Sequence, residues 1–241
     1  MPQLTLMPIF AHPDDESFAG AGALIKYARE GVRAVLVCAT LGERGKVGNP
    51  PVCTPEELPR VREQELRRAC AILGVQQIHL LGYRDQELSA APEAEAVGRI
   101  VRLIRMERPQ VLYTFPPDGH SGHPDHLAIH RLAGLAFRAA GDPAQFPEAG
   151  APWQPSHLYW HLLPGKTPER VDALIATPGV KEARLAALRA HRSQHLSVER
   201  VFRNLGPECL ERLMEQEAFH LADSVLPRED RVRDDLFAGV R

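Results

Sequence analysis

LTLMPIFAHPDDESFAGAGALIKYAREGVRAVLVCAT, residues 4–40, is the stretch on which the fold turns. Leu4–Ala11 is an almost unbroken apolar run, the pattern of a strand covered on both faces. Phe18–Glu30 carries helical spacing and is stopped by Gly31, a residue free to take the left-handed conformation that ends helices. Val32–Thr40 then reads as a second strand. Strand, helix and strand in so short a span make a βαβ unit with parallel strands.

The alternation continues down the chain. Thr54 and Glu57 form a capping-box pattern that opens a helix ending at Gly74. Ile78–Leu81 is a third strand, Pro92–Arg108 a helix with Val97, Ile100, Val101 and Ile104 on one stripe, Val111–Phe115 a strand and Pro124–Ala140 a helix. This predicts an α/β fold, a Rossmann-like three-layer α/β/α sandwich around a mostly parallel sheet. Six prolines fall between Asp142 and Pro168, interrupted by His157–Leu163 as an edge or additional strand, and segment 142–168 is expected near the site. Helices are expected over Val180–His191 and Pro207–Ala222, with a charged C-terminal tail over 223–241. No repeat or linker divides the chain, so 1–241 is read as one domain.

A chain of 241 residues with 44% hydrophobic content can bury its core without staples. Its 29 basic residues against 31 acidic ones leave no basic excess for a phosphate backbone, which argues against nucleic acid. No apolar run approaches the roughly 18 residues of a membrane span, and the N-terminus lacks a leader pattern. Cys38, Cys53, Cys70 and Cys209 include no C-x-x-C pair and read as free thiols of a reducing compartment. A cytoplasmic protein without a membrane or nucleic-acid partner is expected.

Two segments carry chemistry: His12-Pro13-Asp14-Asp15-Glu16 directly after the first strand, and His123-Pro124-Asp125-His126 after the Val111–Phe115 strand. In an open parallel sheet, ligands bind beyond the carboxyl ends of the strands where strand order reverses, so the two segments meet at one crevice. His12, Asp15 and one histidine of the second segment form a two-imidazole, one-carboxylate set that holds Zn²⁺ and leaves positions open. Asp14 is then free to take a proton from water on the metal. The other histidine of the second segment, charged and held by Asp125, faces the substrate to stabilise an oxyanion and protonate the leaving amine. Glu16 is left to pair with a helix start or an arginine. The competing reading of the Asp14-Asp15 pair, and of Asp125, is simple helix capping. The remaining histidines, His120 included, read as surface or core residues.

AHPDDE (residues 11–16) and HPDH (123–126) resemble the LmbE/PIG-L family of zinc-dependent deacetylases, which remove acetyl groups from N-acetylglucosamine units. Further matches run in order: TLGERG (40–45), Arg62 and Glu65 of an R-x-x-E with AILG (71–74), LGYRD (81–85), Lys181 through Ala187, Leu188, His191, Ser193 and Gln194, and DLFAG (235–239). The resemblance implies His12, Asp15 and His126 as zinc ligands, Asp14 as the base, and His123 with Asp125 as the oxyanion and proton-donor pair. It also suggests Arg62, Asp85 and Glu43 as substrate contacts; for Arg62 the alternative is an exposed arginine paired with Glu63 or Glu65. His191–Gln194 is expected to buttress the site. Relatives that form dimers or hexamers imply a homo-oligomer. Ser121 stands where the mycothiol branch carries a tyrosine, which points to another N-acetylglucosamine conjugate, with GlcNAc-malate as one candidate. Two rival readings use the same residues: an iron(II) two-histidine, one-carboxylate enzyme, and a non-catalytic Mg²⁺-binding regulator of receiver type.

Overall fold

The computed structural model describes residues 3–163 and 170–241. Its centre is a seven-stranded sheet ordered β3-β2-β1-β4-β5-β7-β6. Strands β1 (Thr5–Phe10), β2 (Arg33–Thr40), β3 (Gln77–Tyr83), β4 (Val111–Thr114) and β5 (His157–Leu162) are parallel. β7 (Gln216–Ser224) runs antiparallel to both β5 and β6 (Ala173–Ala176). All six residues of β1 and all four of β4 are buried, which accounts for their unbroken apolar character. Right-handed crossovers carry the chain from β1 outward to β3 and then back across to β4. Helices α2 (Ala21–Arg29) and α3 (Leu58–Leu73) therefore cover one face, and α4 (Glu93–Glu107) and α5 (Pro124–Ala140) the other. The expected α/β sandwich is present.

Local chemistry sets the boundaries. The helix expected over Phe18–Glu30 is split into α1 (Asp15–Phe18) and α2 by Gly20, at φ +83°. A Cβ at Gly20 would come within 2.5 Å of the Tyr113 ring, so only glycine lets the backbone pass there. Thr54 and Glu57 exchange the two expected capping bonds, at 3.1 and 3.3 Å, and α3 closes at Gly74, φ +79°.

The C-terminal half departs further from expectation. Pro207–Ala222 is not one helix: α8 (Pro207–Glu215) gives way to β7. Glu217, Phe219 and Leu221 alternate inward, and the polar look of Glu217 hides that period. Its carboxylate is buried against Arg184 Nη2 at 2.8 Å and caps the start of α2 by accepting Gly22 N–H (3.1 Å) and Ala23 N–H (2.7 Å). Helix α6 (Lys181–Ala190) lies where expected, and α7 (His195–Leu205) follows it.

Residues 142–156 do not lie near the site. Arg105, at the end of α4, donates to the carbonyls of Ala140, Asp142, Gln145 and Phe146, while Trp153 Nε1 donates to Pro109 O, ahead of β4. This loop is thus pinned at the amino end of the sheet, and the 164–168 part of the proline-rich segment falls outside the described residues. The charged tail is likewise clamped rather than free: Leu236 and Phe237 are fully buried, and Tyr27 Oη donates to Asp235 Oδ1 while accepting Leu236 N–H. Among the described residues no helix is long and apolar enough to cross a membrane. Cys38, Cys53 and Cys70 are free thiols; the side chain of Cys209 is outside the description.

Candidate active site

β1 and β4 are neighbours at the point where strand order reverses, so the loops leaving their carboxyl ends face each other. The His12–Glu16 and His123–His126 segments meet there, in a cavity of about 670 Å³. Loops leaving β2, β3 and β5 contribute Arg44, Asp85 and Leu163 to its walls.

Asp15 Oδ2 accepts the N–H groups of Ala11 (3.2 Å) and His12 (2.8 Å), which aims Oδ1 at His126 Nε2, 3.3 Å away. His12 Nδ1 lies 3.2 Å from His126 Nε2 and 3.7 Å from Asp15 Oδ2. A tetrahedral ion with bonds of about 2.0–2.2 Å spaces its ligand atoms about 3.3–3.6 Å apart. The His12–His126 and Asp15–His126 separations match that spacing, and His12 Nδ1 to Asp15 Oδ2 is slightly longer. Among the described residues, the donor triads whose atoms all lie within 4.8 Å of one another are His12–His123–His126 and His12–Asp85–Asp125, with Asp15 adjoining the first through His126. In the second, both oxygens of Asp125 already accept backbone N–H groups, from Gln86 and Leu88. Asp15 keeps Oδ1 clear of backbone donors and turned to His126, which favours a cradle of His12, Asp15 and His126.

Outer contacts fix these ligands. His12 Nε2 faces Asp85 Oδ1 and Asp125 Oδ2, each at 3.1 Å, and His126 Nδ1 donates to Gly119 O at 2.8 Å. The carboxylates dominate the electrostatics. Burial pulls the His12 pKa down, but hydrogen bonds to Asp125 and Asp85 and the charge of Asp15 lift it to about 10. Asp15 is also opposed by burial, yet His126 and His12 hold it well below the usual carboxylate range. Burial works against a charged His126 too, and Asp15 raises it. A pocket that attracts protons this strongly is one that suits a cation.

Asp14 stands beside the cradle in a left-handed backbone conformation, φ +104°, uncommon for a non-glycine residue. Two side chains hold it there. Glu16 Oε2 accepts Asp14 N–H at 3.0 Å, and the buried Arg62 donates to Pro13 O and to Gly42 O (2.9 Å) with Asp14 Oδ1 at 3.3 Å. Burial raises the Asp14 pKa above the ordinary carboxylate value, against the pull of Arg62. Glu16 pairs with His191 Nε2 at 2.8 Å rather than with an arginine, and it supports the start of α1, as its position suggested. Arg62 is no exposed helix arginine. Glu65, its partner in the R-x-x-E pattern, accepts Ser193 N–H and Oγ–H instead. Gln194 Nε2 donates to Lys46 O in the loop after β2, so the His191–Gln194 stretch ties α3 to the loops leaving β1 and β2.

His123 caps α5, its Nδ1 accepting Asp125 N–H at 3.2 Å. The expected carboxylate contact between these two residues is replaced by this backbone bond, because the fully buried Asp125 carboxylate is taken up by His12, Gln86 and Leu88. Burial, then the charges of His12 and His126, lower the His123 pKa, so its ring is neutral rather than charged. With Nδ1 accepting, the proton of the neutral ring sits on Nε2. Asp85 lines the cavity; Glu43 does not, its carboxylate accepting Asp85 N–H at 2.9 Å. Ser121 lies within 3.4 Å of His126 Nδ1.

Sequence reasoning missed His120 and His161. His161 is fully buried and His120 half-buried beside the site, with His120 Nε2 and His161 Nδ1 3.2 Å apart, and His120 lines the cavity. The two come together only through the pairing of β4 with β5, and no local spacing signals it.

Comparison with known proteins places the chain in a family. Residues 7–137 match the PIG-L family model, described as GlcNAc-PI de-N-acetylase. The 1D-myo-inositol 2-acetamido-2-deoxy-alpha-D-glucopyranoside deacetylase of Streptomyces avermitilis is 39% identical over 211 residues, covering 78% of this chain and 72% of that one. The mycothiol S-conjugate amidase of Streptomyces coelicolor is 38% identical over 192 residues, covering 71% and 64%. The structure of N,N'-diacetylchitobiose deacetylase from Pyrococcus horikoshii superposes with a TM-score of 0.77 over 91% of this chain and 84% of that chain at 24% identity, a likeness of fold. The chain belongs to the PIG-L family, and so to the amide hydrolases of deacetylase type.

Proposed function

We propose that this protein removes the acetyl group from an N-acetylglucosamine conjugate, with Zn²⁺ held by His12 Nδ1, Asp15 Oδ1 and His126 Nε2. The observation that carries the reading is that His126 Nε2 lies 3.2 Å from His12 Nδ1 and 3.3 Å from Asp15 Oδ1, beside the carboxylate of Asp14 and the imidazole of His123. When bound, the ion polarises the amide carbonyl and acidifies the attacking water. Asp14, its carboxylate 13% exposed on the cavity wall, accepts the proton of that water. Its raised pKa makes it a stronger base than a free aspartate while leaving it ionised at neutral pH. His123 presents Nε2–H to the oxygen that gains charge as the amide carbonyl becomes tetrahedral. The proton collected by Asp14 then passes to the leaving amine, and acetate and a free amino sugar are released.

Arg62 acts by holding Asp14 and Pro13 in place. Its side chain lines the cavity, while Nε is buried without a hydrogen-bond partner. Several relatives act on a GlcNAc-inositol, which makes that conjugate a natural first substrate to assay, beside GlcNAc-malate. The receiver-like reading leaves three converging imidazoles without work, and the iron reading gains no support from a family of deacetylases. Asp14→Asn preserves shape and removes the base. It should lower acetate release at least 100-fold while zinc binding, measured by metal analysis, stays at one ion per chain; full activity in this variant would refute the mechanism.

A further inference from the structure

The cavity is lined by residues of two unlike kinds. Around His12 and His126 stand polar and charged groups. A second, apolar set comprises Phe18, Leu188, Val201, Phe202, Leu213 and Met214. Most of this apolar wall comes from α7 and α8, which each carry a stripe at helical spacing: Val198, Val201 and Phe202 on one, Leu210, Leu213 and Met214 on the other. Leu213 and Met214 are buried, whereas Phe18, Val201 and Phe202 keep part of their surface open. The one buried charged group set into this wall, Arg184, is already neutralised. Arg184 is fully buried, pairs with Glu217 and donates to Leu213 O, so it offers no anion site. Ser197, Arg200 and Asn204 of α7 also line the cavity, and Arg200 and Asn204 are exposed, so water competes with a ligand for them. A polyol placed here would lose water hydrogen bonds and find few in return, while an apolar group would gain from leaving water. At about 670 Å³ the cavity has the volume of a site for a drug-sized molecule, larger than the acetamide and its sugar ring require.

We propose that the α7–α8 wall is an aglycone subsite, and that the conjugates turned over best carry an aryl or alkyl group on the sugar. This rests on the deacetylase reading and adds the substrate class to it. The test compares the methyl and phenyl glycosides of N-acetylglucosamine, of the same anomer, by acetate release, and the two corresponding amine products by calorimetric binding. The phenyl compounds should show a KM and a dissociation constant roughly 10-fold lower or better, as expected when several carbon atoms leave water. That ratio should fall towards one in Phe202→Ser and in Met214→Ser and persist in Phe202→Leu. Equal KM and equal affinity for methyl and phenyl compounds would overturn the proposal. So would an unchanged ratio in both serine variants, or a gain that follows a longer acyl chain instead of the aglycone. If neither glycoside is hydrolysed, the deacetylase reading fails, and the binding ratio of the amines still decides whether the apolar subsite exists.

Discussion

Arg62 and Gly42 are coupled so tightly that a double-mutant cycle can test how the base is held. Gly42 sits at φ +62°, and a Cβ built there comes within 1.9 Å of Arg62 Nη1. In Gly42→Ala the backbone strain alone costs about 1–2 kcal/mol. The displaced guanidinium also leaves the carbonyls of Gly42 and Pro13, and the loss of two charge-assisted bonds costs about 3 kcal/mol or more. The single variant should therefore lose about 4–5 kcal/mol. Arg62→Ala removes the same two bonds and should lose about 3–5 kcal/mol. In the double variant there is no guanidinium to displace, so Gly42→Ala adds only its strain, for a total near 5 kcal/mol. The coupling is then about 3 kcal/mol, read from urea midpoints with the slope m unchanged. Both single variants should also lower kcat/KM by about 100-fold, because the Asp14 turn loosens. Additivity within about 0.5 kcal/mol would show that Arg62 does not clamp this loop.

Three further outcomes are expected. Zn²⁺ at about 100 times its dissociation constant should stabilise the fold by about 2.7 kcal/mol, raising Tm by roughly 5–10 °C in a chain of this size. His126→Ala should abolish that rise, and a chelator should reverse it. Tyr27→Phe removes one hydroxyl that both donates to Asp235 and accepts Leu236 N–H, and should cost about 1–3 kcal/mol in chemical denaturation, with earlier proteolysis of the C-terminal segment. His161 is fully buried and burial depresses its pKa to about 3, so the unfolded chain binds the extra proton first as pH falls below 6.5. Between pH 7 and pH 5.5 the wild type should therefore lose about 1 kcal/mol more stability than His161→Phe, and equal losses would contradict a neutral His161.

The parts of this protein that were legible in its sequence are those in which one local signal suffices. Buried parallel strands declare themselves as apolar runs, and Gly31 and Gly74 take positive φ where their helices stop. The HPDD and HPDH segments could be placed at strand ends, and topology then brings them together. What stayed hidden are contacts between distant segments whose residue types suggest something else. Glu217 looks like the polar face of a helix until Arg184 and the start of α2 are seen to neutralise it, and only then does β7 show its alternation. Asp125 looks like the partner of its neighbour His123, yet three groups from other segments claim its carboxylate. Helices α7 and α8 carry ordinary amphipathic stripes, and nothing in their spacing says that part of each stripe faces a cavity rather than the core. The residues proposed for catalysis could be singled out because the chemistry proposed for them demands particular side chains. The wall that selects a substrate could not, because apolar residues that line a cavity and apolar residues that fill a core obey the same pattern.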